Sequence, residues 1–319
     1  MSNTIYSHIS ENKRDTLLVI AMFPISLFLL MFVFFLIFGD RTNNISLYNY
    51  LYQTAESIFS FSSVLFGIAI IWMGFAYFFG DDLILTSIGS NEITKTSNAY
   101  VYNLVENTAI AAGLPVPKVY IVNDHALNAF ATGRDPHNAS VVLTSGIIKT
   151  LTKQELEGVI AHELSHIGNR DIRTMLLVVS GIGCFTFLGS VALRLSASIR
   201  SDKKNSDQTK LILFLVAIGL MIFGYIIAPL IRLALSRKRE YQADATAALI
   251  TRNPIALASA LKKISANPNM NAFDRNQLAS DMCIENPLNN SNIWEWLSKI
   301  MSTHPPVEKR IEALERMAV

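Results

Sequence analysis

Residues 159–171 read Val-Ile-Ala-His-Glu-Leu-Ser-His-Ile-Gly-Asn-Arg-Asp. Inside this stretch sits His162-Glu163-Leu164-Ser165-His166. Positions i and i+4 of a helix share one face, so two imidazoles one turn apart can hold one ion. Glu163 projects beside that face, within reach of a water held there. The local sequence predicts a helix. Thr152 and Glu155 have capping-box spacing. Leu156, Val159, Ile160, Leu164 and Ile167 recur at helical period as an apolar stripe, and both histidines border it, half buried.

The pattern is the H-E-x-x-H arrangement of zinc metalloproteases, with two ligands and one general base. Its reaction class is peptide-bond hydrolysis. A catalytic zinc keeps three protein ligands and a water, so a third ligand must come from elsewhere. His8, His125, His137 and His304 are candidates, as are many carboxylates. Glu240 stands out, in Ser236-Arg237-Lys238-Arg239-Glu240-Tyr241-Gln242-Ala243-Asp244. It is expected at the head of the helix after the last long apolar run. Glu240 and Asp244 are i and i+4, so one can ligate while the other fixes the ring N–H of a ligand histidine. Asp171 competes for that second role. Glu240 reads equally as an i,i+3 partner of Arg237 on a solvated helix, and spacing leaves both readings open.

The chain has 319 residues, 51% hydrophobic and 16% charged, which is apolar for a soluble domain. The excess is concentrated in four runs at 17–38, 58–80, 174–193 and 211–235. Each is long enough to cross a hydrocarbon core of about 30 Å as a helix. The first begins past residue 16 without a small-residue cleavage site and reads as an anchor. A net charge of +2 is too balanced to argue for nucleic acid. The two cysteines, Cys184 and Cys283, are far apart and make no evident disulfide, which fits a reducing compartment.

Basic residues near the span ends set the expected orientation. Lys13, Arg14, Arg170, Arg173, Arg232, Arg237, Lys238 and Arg239 share one side if four helices cross, and the 40–57 loop carries only Arg41. The loop between the third and fourth runs opposes this with Arg194, Arg200, Lys203, Lys204 and Lys210. A hairpin that crosses incompletely would reconcile the two. The balance places the N-terminus and the catalytic part in the cytoplasm.

The expected organisation is a membrane region at 1–80, a first protease segment at 81–171, a membrane hairpin at 172–235 and a second protease segment at 236–319. A helix is predicted over 91–112 (Val101, Leu104, Val105, Ile110), ended by Gly113 and Pro115. Strands are predicted at 118–122, 128–132 and 140–144, with a turn over 133–138. Helices are expected over 253–265 and 306–317, around a loop-like stretch from 267 to 292. The fold class is a mainly α integral membrane protein: four transmembrane helices plus an α+β protease domain with a small sheet.

The sequence resembles the membrane metalloprotease family that contains the bacterial heat-shock protease HtpX and the CAAX prenyl endopeptidases. Four pieces carry the resemblance. They are Asn128-Ala129-Phe130-Ala131-Thr132-Gly133; His162 to His166 with Asn169 and Asp171; Ser236-Arg237 with Glu240 and Ala243-Asp244; and Ser302-Thr303-His304-Pro305-Pro306 followed by Glu308-Lys309-Arg310. They occur in the family's order, and four spans with a modest length fit the HtpX branch. The polar insertion around 267–300, with Trp294 and Trp296, departs from the pattern.

The resemblance implies a gluzincin-type domain holding one Zn2+ through His162, His166 and Glu240, with Glu163 as general base. It implies that Asn128, Ala129, Phe130, Ala131 and Thr132 form an edge to which an extended substrate adds. His304 would donate to the tetrahedral oxyanion, although it also reads as a cap before the Pro305-Pro306 turn. Arg310 reads as a structural ion-pair partner. The implied partners are polypeptides and the lipid bilayer of a bacterial cytoplasmic membrane, with the site facing the cytosol. The implied role is removal of misfolded membrane proteins. Processing of lipidated C-termini, or binding without cleavage, are the alternatives; the intact set His162, Glu163, His166 and Glu240 favours cleavage.

Overall fold

The structure, a computed structural model, describes residues 25, 47–198, 204–222, 228–266 and 306–318. His8, His304, Cys283, the 267–300 insertion and all of the first apolar run except Ile25 lie outside the described residues. The chain divides into two compact units. One comprises Met1–Asp15, Tyr77–Leu176 and Leu230–Val319; the other comprises Thr16–Ala76 and Leu177–Pro229.

The first unit holds a four-stranded sheet of order β1-β2-β4-β3. Its strands are β1 (Asn91–Ile93), β2 (Lys118–Val122), β3 (Ala129–Asp135) and β4 (Asn138–Thr144). β2 and β4 are rich in Val and Ile, which favour a pleated, buried surface. They pair in parallel, with Val119 beside Val141 and Ile121 beside Leu143. β3 runs antiparallel to β4, Phe130 opposite Val142, and closes one edge of the sheet. The β3–β4 connection is tighter than the predicted 133–138 turn. Asp135 Oδ1 accepts from the N–H groups of His137 and Asn138 at 2.8 and 3.0 Å, leaving only two residues between the strands. Gly133 has φ +129°, and a Cβ there would meet the Asn138 carbonyl oxygen at 2.2 Å. Glycine is required at this bulge.

The helix predicted over 91–112 is two elements. Asn91–Ile93 pairs antiparallel with β2, and α2 (Ala99–Ala111) starts only after it. A turn closes between them: the Ser97 N–H donates to the Thr94 carbonyl at 3.1 Å. Asn98 then caps the helix, its Oδ1 accepting from Val101 N–H at 3.2 Å. A three-residue polar strand has no alternation to read, and its place is decided by β2.

After α3 (Ser145–Thr150) comes α4 (Lys153–Gly168), the H-E-x-x-H helix, which packs against β3 and α2. Its capping box forms as expected. The Thr152 N–H donates to Glu155 Oε2 at 2.8 Å, and the Glu155 N–H donates to Thr152 Oγ1 at 3.3 Å. Leu156, Val159, Ile160, Leu164 and Ile167 are fully buried. Each such side chain contributes about 1.5–3 kcal/mol relative to exposure. α8 (Pro254–Ala266) packs on the same helix at close range: a Cβ on Gly158 would lie 3.3 Å from the Leu257 backbone. Ser259 Oγ and Lys263 Nζ donate to Glu155 at 2.7 and 2.8 Å, tying α8 to the start of α4. The last helix, α9 (Val307–Arg316), packs on α8 and buries Leu314.

The remaining helices are α1 (Leu47–Ser87), α5 (Asp171–Ser198), α6 (Lys204–Ile222) and α7 (Ala228–Thr251). In the second unit, Cys184, Phe185 and Leu220 form a core with Trp72, Leu188 and Val216 around it. Trp72 stacks on Phe187 with ring centroids 5.6 Å apart. Among the described residues one helix, Asp171–Ser198, is long and apolar enough to cross a membrane; the apolar part of α6, Leu213–Ile222, is shorter. The predicted run at 58–80 falls inside α1, and that at 174–193 inside α5. The run at 211–235 is shared by α6 and α7, with 223–227 outside the described residues. The loop predicted over 194–210 is largely helix, since α5 reaches Ser198 and α6 begins at Lys204.

Candidate metal centre

Residues of the first unit on four helices supply the centre: α4, the first residue of α5, α7 and α9. His162 is 1% exposed and His166 partly buried, their rings edge to face with centroids 4.8 Å apart. The Nε2 atoms lie 3.2 Å from each other. Glu240 brings Oε2 to 3.6 Å from His162 Nε2 and Oε1 to 3.6 Å from His166 Nε2. A tetrahedral zinc with bonds of about 2.0–2.1 Å needs ligand atoms roughly 3.3–3.4 Å apart. The His162–His166 edge matches that, each histidine has one Glu240 oxygen within a few tenths of an ångström of it, and one ligand atom from each of the three residues lies within 4.8 Å of the others. Glu240 is 4% exposed, so the solvated ion-pair reading does not describe it. It sits in the middle of α7 rather than at a helix head, because the apolar residues before it continue into the same helix.

The outer nitrogens explain why the inner ones converge. His166 Nδ1 is 2.9 Å from Asp171 Oδ2. His162 Nδ1 is 3.0 Å from Asp244 Oδ1, close enough to share a proton though short of full hydrogen-bond alignment. Carboxylates at both Nδ1 atoms hold the N–H there and leave both Nε2 lone pairs aimed at one point. At 3.2 Å the two Nε2 atoms can share either a proton or, with both lone pairs free, a cation. The donor set of two imidazoles and a carboxylate suits zinc, so the residues present fit the metal their motif implies.

Helix boundaries place both carboxylates. α4 ends at Gly168 with Asn169 as its cap, and Arg170 takes φ 63°, the left-handed turn that starts α5 immediately with Asp171. The reversal brings Asp171 back to His166, five residues earlier. Asp244 comes from the turn of α7 after Glu240, as the i,i+4 spacing predicts.

Arg310 reaches this cluster from α9 and is fully buried. Its Nε and Nη2 donate to Asp244 Oδ2 and Oδ1 at 2.8 and 2.7 Å. Nη1 lies 3.3 Å from Glu240 Oε2, and Nη2 lies 3.4 Å from His162 Nε2. The ion-pair reading of Arg310 is right in kind but did not place it at the centre. One signal was available: Arg310 falls on the apolar stripe of Val307, Ile311 and Leu314, where a charge needs a buried partner.

Burial alone would push the His162 pKa down, yet Asp244 and Glu240 raise it to about 9. His166 is likewise raised, burial being outweighed by Asp171 and Glu240. Burial acts to raise the Asp244 carboxyl, but Arg310 and His162 hold it at about 2. The field that favours a proton on these rings also favours a divalent cation between them.

Glu163 is 3% exposed, one residue after the first histidine. Asn128 to Thr132 are buried at the edge of the sheet, with Asn128 Oδ1 accepting from Ala129 N–H at 3.0 Å. His125 and His137 are exposed and stand outside the cluster. His304 lies outside the described residues.

The sequence matches peptidase family M48 over residues 95–318. Three relatives named Protease HtpX homolog are similar along nearly their whole length. That of Bacteroides fragilis is 38% identical over 313 residues, covering 96% of this chain and 97% of the relative. That of Dictyoglomus turgidum is 39% identical, covering 98% and 95%. That of Lactobacillus helveticus is 35% identical, covering 98% and 100%. Among solved structures, the crystal structure of S. mikatae Ste24p aligns with a TM-score of 0.48 at 18% identity. That alignment covers 96% of this chain and 66% of the other, just under two thirds of its length. The family match spans the histidine pair, Glu240 and the Arg310 helix together, and the chain belongs to peptidase family M48 as an HtpX-like metallopeptidase.

Proposed function

We propose that this chain is a membrane-embedded zinc endopeptidase whose site faces the cytosol and which cleaves misfolded or damaged membrane proteins. The observation that carries the reading is the buried convergence of His162 Nε2, His166 Nε2 and Glu240, with both Nδ1 atoms beside carboxylates. Those three residues would hold one Zn2+, which would supply Lewis-acid polarisation of the scissile carbonyl and lower the pKa of a water. Glu163 accepts the proton of that water and passes it to the leaving amine. Asp244 and Asp171 hold the two imidazoles in register. His304 donates to the oxyanion. The backbone of residues 128–132, at the sheet edge, accepts the substrate as an added strand.

Four spans, at about 17–38, 58–80, 174–193 and 211–235, anchor the enzyme in the bilayer. The long apolar helix α5 supports the third of them. Residues 77–176 and 230–319 fall in one compact unit, which supports a protease domain split in sequence by a membrane hairpin.

The test is digestion of an unfolded protein by purified, detergent-solubilised enzyme, with cut sites mapped by mass spectrometry. Internal cuts that vanish on chelation and return with zinc are expected. Release of only a C-terminal tripeptide from a prenylated peptide would move the assignment to lipid-linked processing. Zinc-loaded protein that cuts neither substrate would leave a binding protein.

A further inference from the structure

The proposed centre has three ligands, a base and two carboxylates that hold rings, and Arg310 is none of these. Burying a guanidinium is costly unless its donors are matched. Here they are matched unevenly. The fork of Nε and Nη2 spans both oxygens of Asp244, the bidentate geometry only arginine offers. The oxygen that takes Nη2, Oδ1, is also the one 3.0 Å from His162 Nδ1. One carboxylate oxygen therefore lies between the guanidinium and the imidazole. Clamping both oxygens fixes the carboxylate plane, and the carboxylate fixes the ring.

Arg310 is not the sole contact that docks α9. Leu314 enters the core from the same helix, and Lys262 on α8 meets Glu315 at 2.8 Å. Arg310 instead points its whole donor set at Asp244, Glu240 and His162. We propose that Arg310 is a positioning residue of the metal centre, acting on His162 through Asp244. The proposal rests on the reading of His162, His166 and Glu240 as metal ligands.

The test uses the full chain in detergent, with zinc affinity read by chelator competition and ligand geometry by the visible spectrum of the cobalt(II)-loaded protein. Arg310→Lys keeps the charge and loses the fork. It is expected to fold, to weaken zinc binding about ten- to a hundredfold and to shift the cobalt spectrum. Asp244→Asn should do the same. The double variant Asp244→Asn/Arg310→Lys should bind no worse than the weaker single, because both act on one ring. Losses that multiply in the double variant, or an Arg310→Lys protein with wild-type affinity and an unchanged cobalt spectrum, overturn the proposal. Should Arg310→Lys not fold, the charge-neutral double Asp244→Asn/Arg310→Met removes both partners of the fork together and leaves Glu240 beside the two histidines. Zinc weakened by the same factor in that protein supports the proposal, and wild-type affinity overturns it. Wild-type protein that takes up no zinc at all sinks the metal reading beneath both.

Discussion

At the scale of single residues, each group in the centre has a separable signature. Glu163→Gln leaves every proposed ligand intact and removes only the proton acceptor. It should keep one zinc per chain, by metal analysis, while cleavage of an unfolded protein falls to background. Cleavage near the wild-type rate would remove Glu163 from the mechanism. Glu240→Ala should lose zinc to mild chelation, since two imidazoles leave the ion under-coordinated. Full retention there, with loss in a His304 variant, would transfer the third ligand to the histidine. The His162–His166 pair was legible from i,i+4 spacing once the capping box and the apolar stripe had marked a helix. Glu240 was not: spacing left it balanced against a surface ion pair, and the resemblance had to decide. The contact between Arg310 and His162 spans 148 positions, and no local pattern encodes it.

At the scale of elements, α4 is the best-read piece because its signals are local. The Thr152–Glu155 box and the apolar stripe both formed as read. Its partner α8 was also expected, but not the contact that joins them. Glu155 illustrates the gain. Burial acts to raise its carboxyl, yet Lys263, Ser259 and Thr152 hold it at about 2 against an ordinary 4.5. A carboxyl depressed on folding stabilises the fold above its unfolded pKa and loses that effect as pH falls toward its folded one. Glu155→Gln should therefore lower the thermal midpoint by a constant amount above about pH 5, worth roughly 1–3 kcal/mol. The gap should close as the pH approaches 2. A gap independent of pH would show that the carboxyl contributes by shape only. Gly158→Ala tests the same interface by volume. Its new methyl would stand 3.3 Å from the Leu257 backbone, and overpacking there should cost about 1–3 kcal/mol in urea unfolding. β1 was missed for the opposite reason: Asn91-Glu92-Ile93 has no local signal and becomes a strand only by pairing with β2.

At the scale of the molecule, the four apolar runs were legible as runs, but helix ends were not. α1 extends well past 58–80 on both sides, and α7 runs without a break from the end of the last apolar run through Glu240. Hydropathy marks where a helix is apolar; where it stops depends on caps and packing. The sidedness of the two protease segments can be measured directly. Cysteines at Gln154 and Leu249, both exposed, in a background lacking Cys184 and Cys283, should label identically from the cytoplasmic face. Opposite labelling would separate Glu240 from the histidine pair and sink the centre.

The lateness of Arg310 in the chain has a meaning in time. It follows His162 by 148 residues. At about 5–20 residues per second of synthesis, the proposed clamp leaves the ribosome roughly 7–30 seconds after the first histidine. During that interval the ring pair exists without the guanidinium proposed to hold it in register. On the proposal above, a zinc site assembled in that interval would lack the register that the clamp gives it, until the helix bearing Arg310 docks. The order of assembly, ring pair first and clamp last, is set by the sequence alone.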